Sequence, residues 1–335
     1  MTQTTVILGA GASADFDLPL GDGLLDLAEE QLVGFKRKFE AHQERSPGWQ
    51  WNHLHDLFYQ DLVKKALVKT LERSQSNSVG PLFELITVIQ RTSAYSIDTL
   101  ALENPEYLEI CKTLASGILT SKIQGNLQID RTGTEIWNFA ERKITNSFSQ
   151  GQQANWIHLF TSMMRNAYTQ NREKRYKVIS FNYDKIFEMT LRRVWGVSTR
   201  ELIDIDEFVE FTYPHGLIDW TIDTSSRSRF SYDSSHIEFA HNKSDKTSFD
   251  LAREFIADAT DIISLGFSFA PENIDSLGLK ESVELLTTEP TLIYQNFDGN
   301  LGVNRRVNEL PVEAIEFRGP ISQAIQQGQL GDLPS

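Results

Sequence analysis

Apolar positions follow two rhythms along this chain, and their alternation points to a mixed α/β protein. Short β-rich runs at residues 4–8, 176–181, 208–213, 261–265, 291–294 and 312–317 are bounded by turn-forming or polar residues, as strands are. Apolar residues at helical spacing occupy 23–39, 51–71, 82–89, 97–108, 110–118, 135–144 and 156–168, and again 184–194, 249–259 and 273–286. The first β-rich run is thus separated from the others by a block that reads almost wholly helical. Strands alternating with helices imply a parallel sheet covered by helices, so the first strand is expected to join strands far along the chain. The expected organisation is a discontinuous core of residues 1–30 and 171–335 with a helical insertion at 31–170. The Ser- and Asp-rich stretch 224–246 reads as a loop or short hairpin in which 230–232 and 237–239 alternate, and 328–335 reads as a loose tail. No internal repeat is visible.

Composition narrows the functional classes. The 335 residues carry 46 acidic against 32 basic side chains, a formal net charge of −14. Neutralising phosphates needs clustered Lys and Arg, so direct nucleic-acid binding is not expected. The basic runs Lys36-Arg37-Lys38 and 172–177 read as solvated helix ends. Cys111 is the single cysteine, which excludes an internal disulfide, a thiolate zinc cluster and a dithiol pair, and fits a reducing compartment. The first residues lack the basic and apolar stretches of a signal peptide, and no segment is long and apolar enough to span a bilayer. A cytoplasmic location and no membrane partner are therefore expected.

Candidate chemistry gathers where β-rich runs end. Gly9-Ala10-Gly11-Ala12-Ser13 follows the first run and precedes a helical pattern, the order of a phosphate-binding turn: glycines admit close approach, and a helix start offers free amides. With the strand and helix pattern, this makes the expected fold Rossmann-like. The turn departs from a dehydrogenase fingerprint, because its third glycine is missing and no second strand with a terminal acid follows the first helix. No glycine-rich loop ends in Gly-Lys-Ser or Gly-Lys-Thr, which disfavours a P-loop ATPase. Asn182 stands at the tip of Ser180-Phe181-Asn182-Tyr183-Asp184, where apolar neighbours would make an idle buried amide costly; Asp184 doubles as a candidate cap for the next helix. His215, before Gly216, follows another run and carries a side chain able to take a proton near neutrality. The remaining six histidines lack this placement, and His53 and His55, two apart, are poorly spaced for a shared metal. Gly266 and Ser268 end a further strand, and Asn296 ends the next, positions suited to ribose hydroxyls and phosphate.

Taken in order, Gly9-Ala10-Gly11-Ala12-Ser13 with Leu18-Pro19, Ser180-Phe181-Asn182-Tyr183-Asp184, Pro214-His215-Gly216-Leu217-Ile218-Asp219-Trp220, Leu265-Gly266-Phe267-Ser268 and the strand end at Asn296 resemble the sirtuin-like family. The set is most similar to its zinc-free bacterial branch of NAD hydrolases in antiphage defence, and the helical block around Ser96-Ile97-Asp98-Thr99-Leu100 resembles the insertion of those enzymes. Two features depart from sirtuin deacylases: one cysteine cannot build their four-cysteine zinc module, and Phe181 stands where they carry Gln.

The resemblance implies a sirtuin-like fold without the zinc module and NAD as substrate, with no metal. Nicotinamide leaves NAD as a cationic pyridinium and needs no general acid, so the enzyme must supply positioning and water activation. Asn182 is expected to order water or a ribose hydroxyl and His215 to accept a proton. Residues Gly9 to Ser13 would hold the pyrophosphate, with Asp184, Gly266, Ser268 and Asn296 as further cofactor contacts. A non-catalytic nucleotide sensor and an ADP-ribosyl or deacyl transferase are the other classes. The resemblance further implies assembly into a homo-oligomer, or restraint by a partner encoded nearby such as a DNA-translocating ATPase or an Argonaute-like protein. NAD and NADP are not distinguished.

Overall fold

The computed structural model describes residues 3–16, 18–46, 48, 50–74, 78–94, 96–126, 128–129, 135–136, 156–198, 204–223, 229–233, 237, 239, 246–284 and 290–330. The chain divides into two compact units, one of Met1–Asp17, Ile136–Leu217 and Asn242–Ser335, the other of Leu18–Glu135 and Ile218–His241.

The first unit is built on a six-stranded sheet of β1 (Gln3–Leu8), β2 (Arg175–Ser180), β3 (Val209–Thr212), β4 (Asp261–Leu265), β5 (Thr291–Gln295) and β6 (Glu313–Phe317). Its spatial order is β6-β5-β4-β1-β2-β3 and every pairing is parallel. This is the doubly wound order, which reverses direction between β1 and β4 and so leaves a crevice at their carboxyl ends. Val6, Ile7 and Leu8 are completely buried, and all five residues of β4 are buried. Strands covered on both faces lose polar alternation, which is why both read as near-continuous apolar runs. On one face Ile7, Ile179, Ile262 and Leu292 pack with Ala252, Phe255 and Ile256 of the helix Lys246–Ala257. Elsewhere in this unit the helices Trp156–Gln170 and Ile186–Ser198 lock through aromatic rings: Trp156 stacks on Phe187 at 5.5 Å and Tyr168 meets Trp195 edge-on.

That stacking explains one departure from the sequence pattern. The helix at 156–168, expected in the insertion, belongs to the sheet unit because its apolar face is spent on Phe187 and Trp195. The first segment of this unit also ends at Asp17 and not near residue 30, and Ile218–His241 groups with the helices.

The second unit holds the helices Gly21–Arg45, His53–Leu57, Leu62–Arg73, Gly80–Arg91, Ile97–Glu103 and Leu108–Asn126, with an antiparallel pair Asp219–Asp223 and Arg229–Asp233. Its core includes Leu32, Phe35, Phe58, Leu67, Leu85 and Leu114, all fully buried, with Phe35 stacked on Phe58 at 4.3 Å. The single helix expected over 51–71 is two, because Asp61 turns extended and its carboxylate caps Leu62–Arg73 by accepting from Lys64 N. A 3-10 turn at Pro105–Tyr107 likewise separates the helices expected at 97–108 and 110–118. The hairpin differs too: 229–233 pairs with 219–223 instead of with 237–239, a register that closes over only five intervening residues. Glu135–Ile136, expected to open a helix, is a short strand, and the rest of that expected helix lies outside the described residues. The tail is anchored at its start, since Leu330 is buried and Gln329 N donates to Ala324 O, while 331–335 fall outside the described residues.

Candidate active site

At the reversal point the loops after β1 and β4 lie backbone against backbone. Gly9 N donates to Leu265 O and Gly11 N to Gly266 O, both at 3.0 Å. A Cβ on Gly11 would come within 2.8 Å of Gly266 Cα, and one on Gly9 within 2.6 Å of Phe267 Cα. Gly266 itself has φ +61, and a Cβ there would overlap Ala12 N and Gly11. The three glycines let the two loops touch. The sequence pattern assigned Gly9 and Gly11 to a pyrophosphate, but their amides are already spent on the β4 loop, and Ala12 N on Gly9 O. Exposed Ala10 opens a helix of only four residues, Ala10–Ser13, and buried Ala12 accepts at its carbonyl from Trp156 Nε1 at 3.1 Å.

Ser13 reaches across to the tip of β2. Asn182 Nδ2 donates to Ser13 Oγ at 2.8 Å, and Ser13 Oγ donates to Asp184 Oδ2 at 3.1 Å. The other Asp184 oxygen accepts from Ile186 N at 2.9 Å, capping the start of the helix Ile186–Ser198. All three residues are more than nine-tenths buried. Burial pushes the Asp184 carboxyl above its ordinary value, and the bonds from Ile186 N and Ser13 offset that only in part. The cap expected of Asp184 is present. Its cofactor role is not visible as such, because both oxygens are engaged by the protein. Asn182 Oδ1, by contrast, is buried with no hydrogen-bond partner among the described residues.

His215 packs on the residues that flank Asn182. Its ring meets Phe181 edge-on at 4.9 Å and lies 6.1 Å from Tyr183. β2 and β3 are adjacent, which brings two residues 33 positions apart in the chain to neighbouring strand ends. Gly216 follows with φ +68, and its N–H closes a turn onto Tyr213 O. Under that turn Tyr213 O–H donates to Glu188 at 2.6 Å, and Glu188 and Asp206 both hold Arg192. Burial, then the Glu188 charge, lifts the Tyr213 hydroxyl far above its ordinary range, so it remains a donor.

Beyond β4, Ser268 is exposed between Phe267 and Phe269, and Phe269, fully buried, takes φ +52. A left-handed conformation at a bulky residue is strained. Packing of Phe269 on Phe267 and Tyr294 holds it, and Arg306 Nη2 donates to Ser268 O at 2.9 Å. Asn296 is occupied internally: its nitrogen lies within bonding distance of Asn300 O, Asn304 Oδ1 and Glu316 Oε1, and its oxygen accepts from Asn300 N. It builds the loop after β5 and is not placed as the free ribose contact expected of it. Gln295, the amide beside Asn296 at the same strand end, accepts from Gly266 N and donates to Gly319 O and thereby ties three strand-end loops together, a role the sequence did not reveal. A polar residue closing an apolar strand was the available signal.

Cys111 is buried, its thiol pushed up to about 12 by desolvation, and is no nucleophile. Among the described residues no group of three or more His, Cys, Asp or Glu could hold a metal, and no helix is long and apolar enough to cross a membrane.

No protein-family model matches the chain, and no curated protein matches it. What the sheet order defines is a class, a Rossmann-like α/β protein with an all-parallel, doubly wound sheet.

Proposed function

We propose that the chain is an NAD glycohydrolase, cleaving the nicotinamide N-glycosidic bond with water to release nicotinamide and ADP-ribose. One observation carries this reading: just beyond β2, Asn182 holds a buried amide oxygen with no hydrogen-bond partner among the described residues, and both its chain neighbours, Phe181 and Tyr183, pack on His215. A buried acceptor without a partner costs free energy unless a ligand completes it. In the proposed reaction Asn182 Oδ1 accepts a hydrogen bond from the attacking water or from a ribose hydroxyl. The water oxygen bonds to the ribose carbon as the carbon–nitrogen bond breaks. The bonding pair neutralises the pyridinium, and His215 takes the water proton and returns it to solvent. Exposed Ser268 is left for the adenosine half. NAD depletion in antiphage defence, and activation by assembly or a neighbouring partner, belong to the same reading and rest on the resemblance alone.

The test is to incubate the purified chain with NAD and quantify nicotinamide and ADP-ribose, for the parent and for Asn182→Ala and His215→Ala. Loss of a positioned acid–base or orienting group should lower the rate about 10²–10⁴-fold while circular dichroism stays unchanged. A folded variant that cleaves at the parent rate overturns the mechanism. Binding of NAD without cleavage by the parent would make the chain a nucleotide-sensing subunit instead.

A further inference from the structure

We propose that Asp184 and Ser13 are positioning residues that set the hydrogen-bond polarity of this site, holding the Asn182 amide with its oxygen toward the ligand. The group recognised there is then a hydrogen-bond donor, a hydroxyl or water, and not an acceptor. The assignment of Asn182 to the ligand rests on the functional reading above; the polarity does not.

The argument is one of proton counting along a buried chain. Once ionised, above its raised pKa, the Asp184 carboxylate only accepts, from Ile186 N at one oxygen and from Ser13 Oγ at the other. Ser13 has a single hydroxyl proton, and that proton is committed to Asp184. Toward Asn182 it can therefore only accept, and what it accepts is an Asn182 N–H at 2.8 Å. The two ends of an amide look alike in shape but not in polarity, so this bond decides which end faces away. The end that faces away is Oδ1, buried and without a partner among the described residues. Ser13 lies in the turn after β1 and Asp184 just beyond β2, so the polarity of one side chain is dictated by two adjacent strands. Ser13 was expected to hold a phosphate, yet its hydroxyl is engaged on both sides.

The relay can be reversed without changing its shape. In Asp184→Asn, the new amide still accepts from Ile186 N through its oxygen but turns an N–H toward Ser13. The Ser13 proton must then point to Asn182, whose amide turns over and faces the ligand with its nitrogen. Adding Asn182→Asp to that variant restores an acceptor facing the ligand, with the same net charge as the parent. Asn182→Asp alone sets two carboxylates against one Ser13 proton.

Two measurements on the full chain test the relay. The first is a cycle of unfolding equilibria across the parent, both single variants and the double variant. Asn182→Asp should cost about tenfold more in the parent background than in the Asp184→Asn background. The second is NAD cleavage: Asp184→Asn should lose about tenfold to a hundredfold, and the double variant should recover at least tenfold of that. Additive unfolding effects overturn the relay. So does an Asp184→Asn variant that cleaves NAD like the parent, or a double variant no better than Asp184→Asn while the parent is active. A coupled cycle in a parent that neither cleaves NAD nor binds ADP-ribose by calorimetry supports the relay and overturns the functional reading.

Discussion

Asp184 is held at a cost. Desolvation raises its folded pKa above the ordinary value, and its hydrogen bonds offset only part of that. A carboxyl whose folded pKa exceeds its unfolded one contributes stability below the unfolded value, about 3.9, and loses that contribution as pH rises through the folded value. Above that folded value the parent bears the full desolvation cost, which the permanently neutral amide of Asp184→Asn avoids. Asp184→Asn should gain stability relative to the parent as pH rises through the Asp184 titration. Urea unfolding between pH 5 and pH 8 measures this. A variant less stable than the parent at every pH would show that the charge-assisted bonds outweigh burial. The same residue shows how far a site is legible at this scale. Asn182 and His215 were visible as polar residues ending apolar runs, and the cap role of Asp184 followed from its place before a helical pattern. That Ser13 joins Asn182 to Asp184 was not visible, because it lies 169 and 171 positions from them and no local pattern records which strand ends are neighbours.

At the scale of elements, the contact between the β1 and β4 loops is the most demanding feature. Gly266 needs its positive φ and also the absence of a Cβ, which would run into the backbone of Gly11 and Ala12. Both strain and overlap act, so Gly266→Ala should cost about 3 kcal/mol or more and lower the melting temperature by several degrees. Gly48→Ala is the control, since a Cβ there meets nothing within 4 Å. Equal melting temperatures for the two variants would contradict the backbone contact. Here the sequence identified the right residues but not the contact they make. A glycine turn after a first strand looks the same whether or not another loop packs against it, and only the β1–β4 pairing reveals that one does.

Across the whole molecule, the helical unit keeps some apolar side chains uncovered. Tyr59 is 54% exposed and Leu102 50%, whereas Phe58, equally apolar in sequence, is fully buried under Phe35. Trp51 is half-buried and donates to Glu72, and Trp49 lies outside the described residues. Singly exposed apolar side chains are ordinary on a protein surface, so self-association rests on the resemblance, and Tyr59 is the side chain chosen to probe it. If assembly activates the proposed NAD cleavage, turnover per chain should rise with concentration in step with the scattering mass, and Tyr59→Ser should shift both curves to higher concentration. Full activity from a strict monomer, independent of concentration, would refute activation by self-assembly and leave the catalytic proposal intact.

The sequence by itself determined the α/β class, all six sheet strands to within a residue or two, the separation of the first strand from the rest, and the strand-end positions of Asn182, His215 and Gly266. These are matters of local periodicity and of the polar residues that stop an apolar run, which need no knowledge of neighbours. Tertiary structure alone decided the order β6-β5-β4-β1-β2-β3, the return of the helix Trp156–Gln170 to the sheet unit, and the hairpin register. It also decided which polar side chains were spent on the protein, as with Asn296 and Ser13, and which, as with the Asn182 oxygen, were left over. The reason is physical: a hydrogen bond between residues more than a hundred positions apart is fixed by which strands lie side by side, and apolar runs of similar length and hydrophobicity do not encode their own partners.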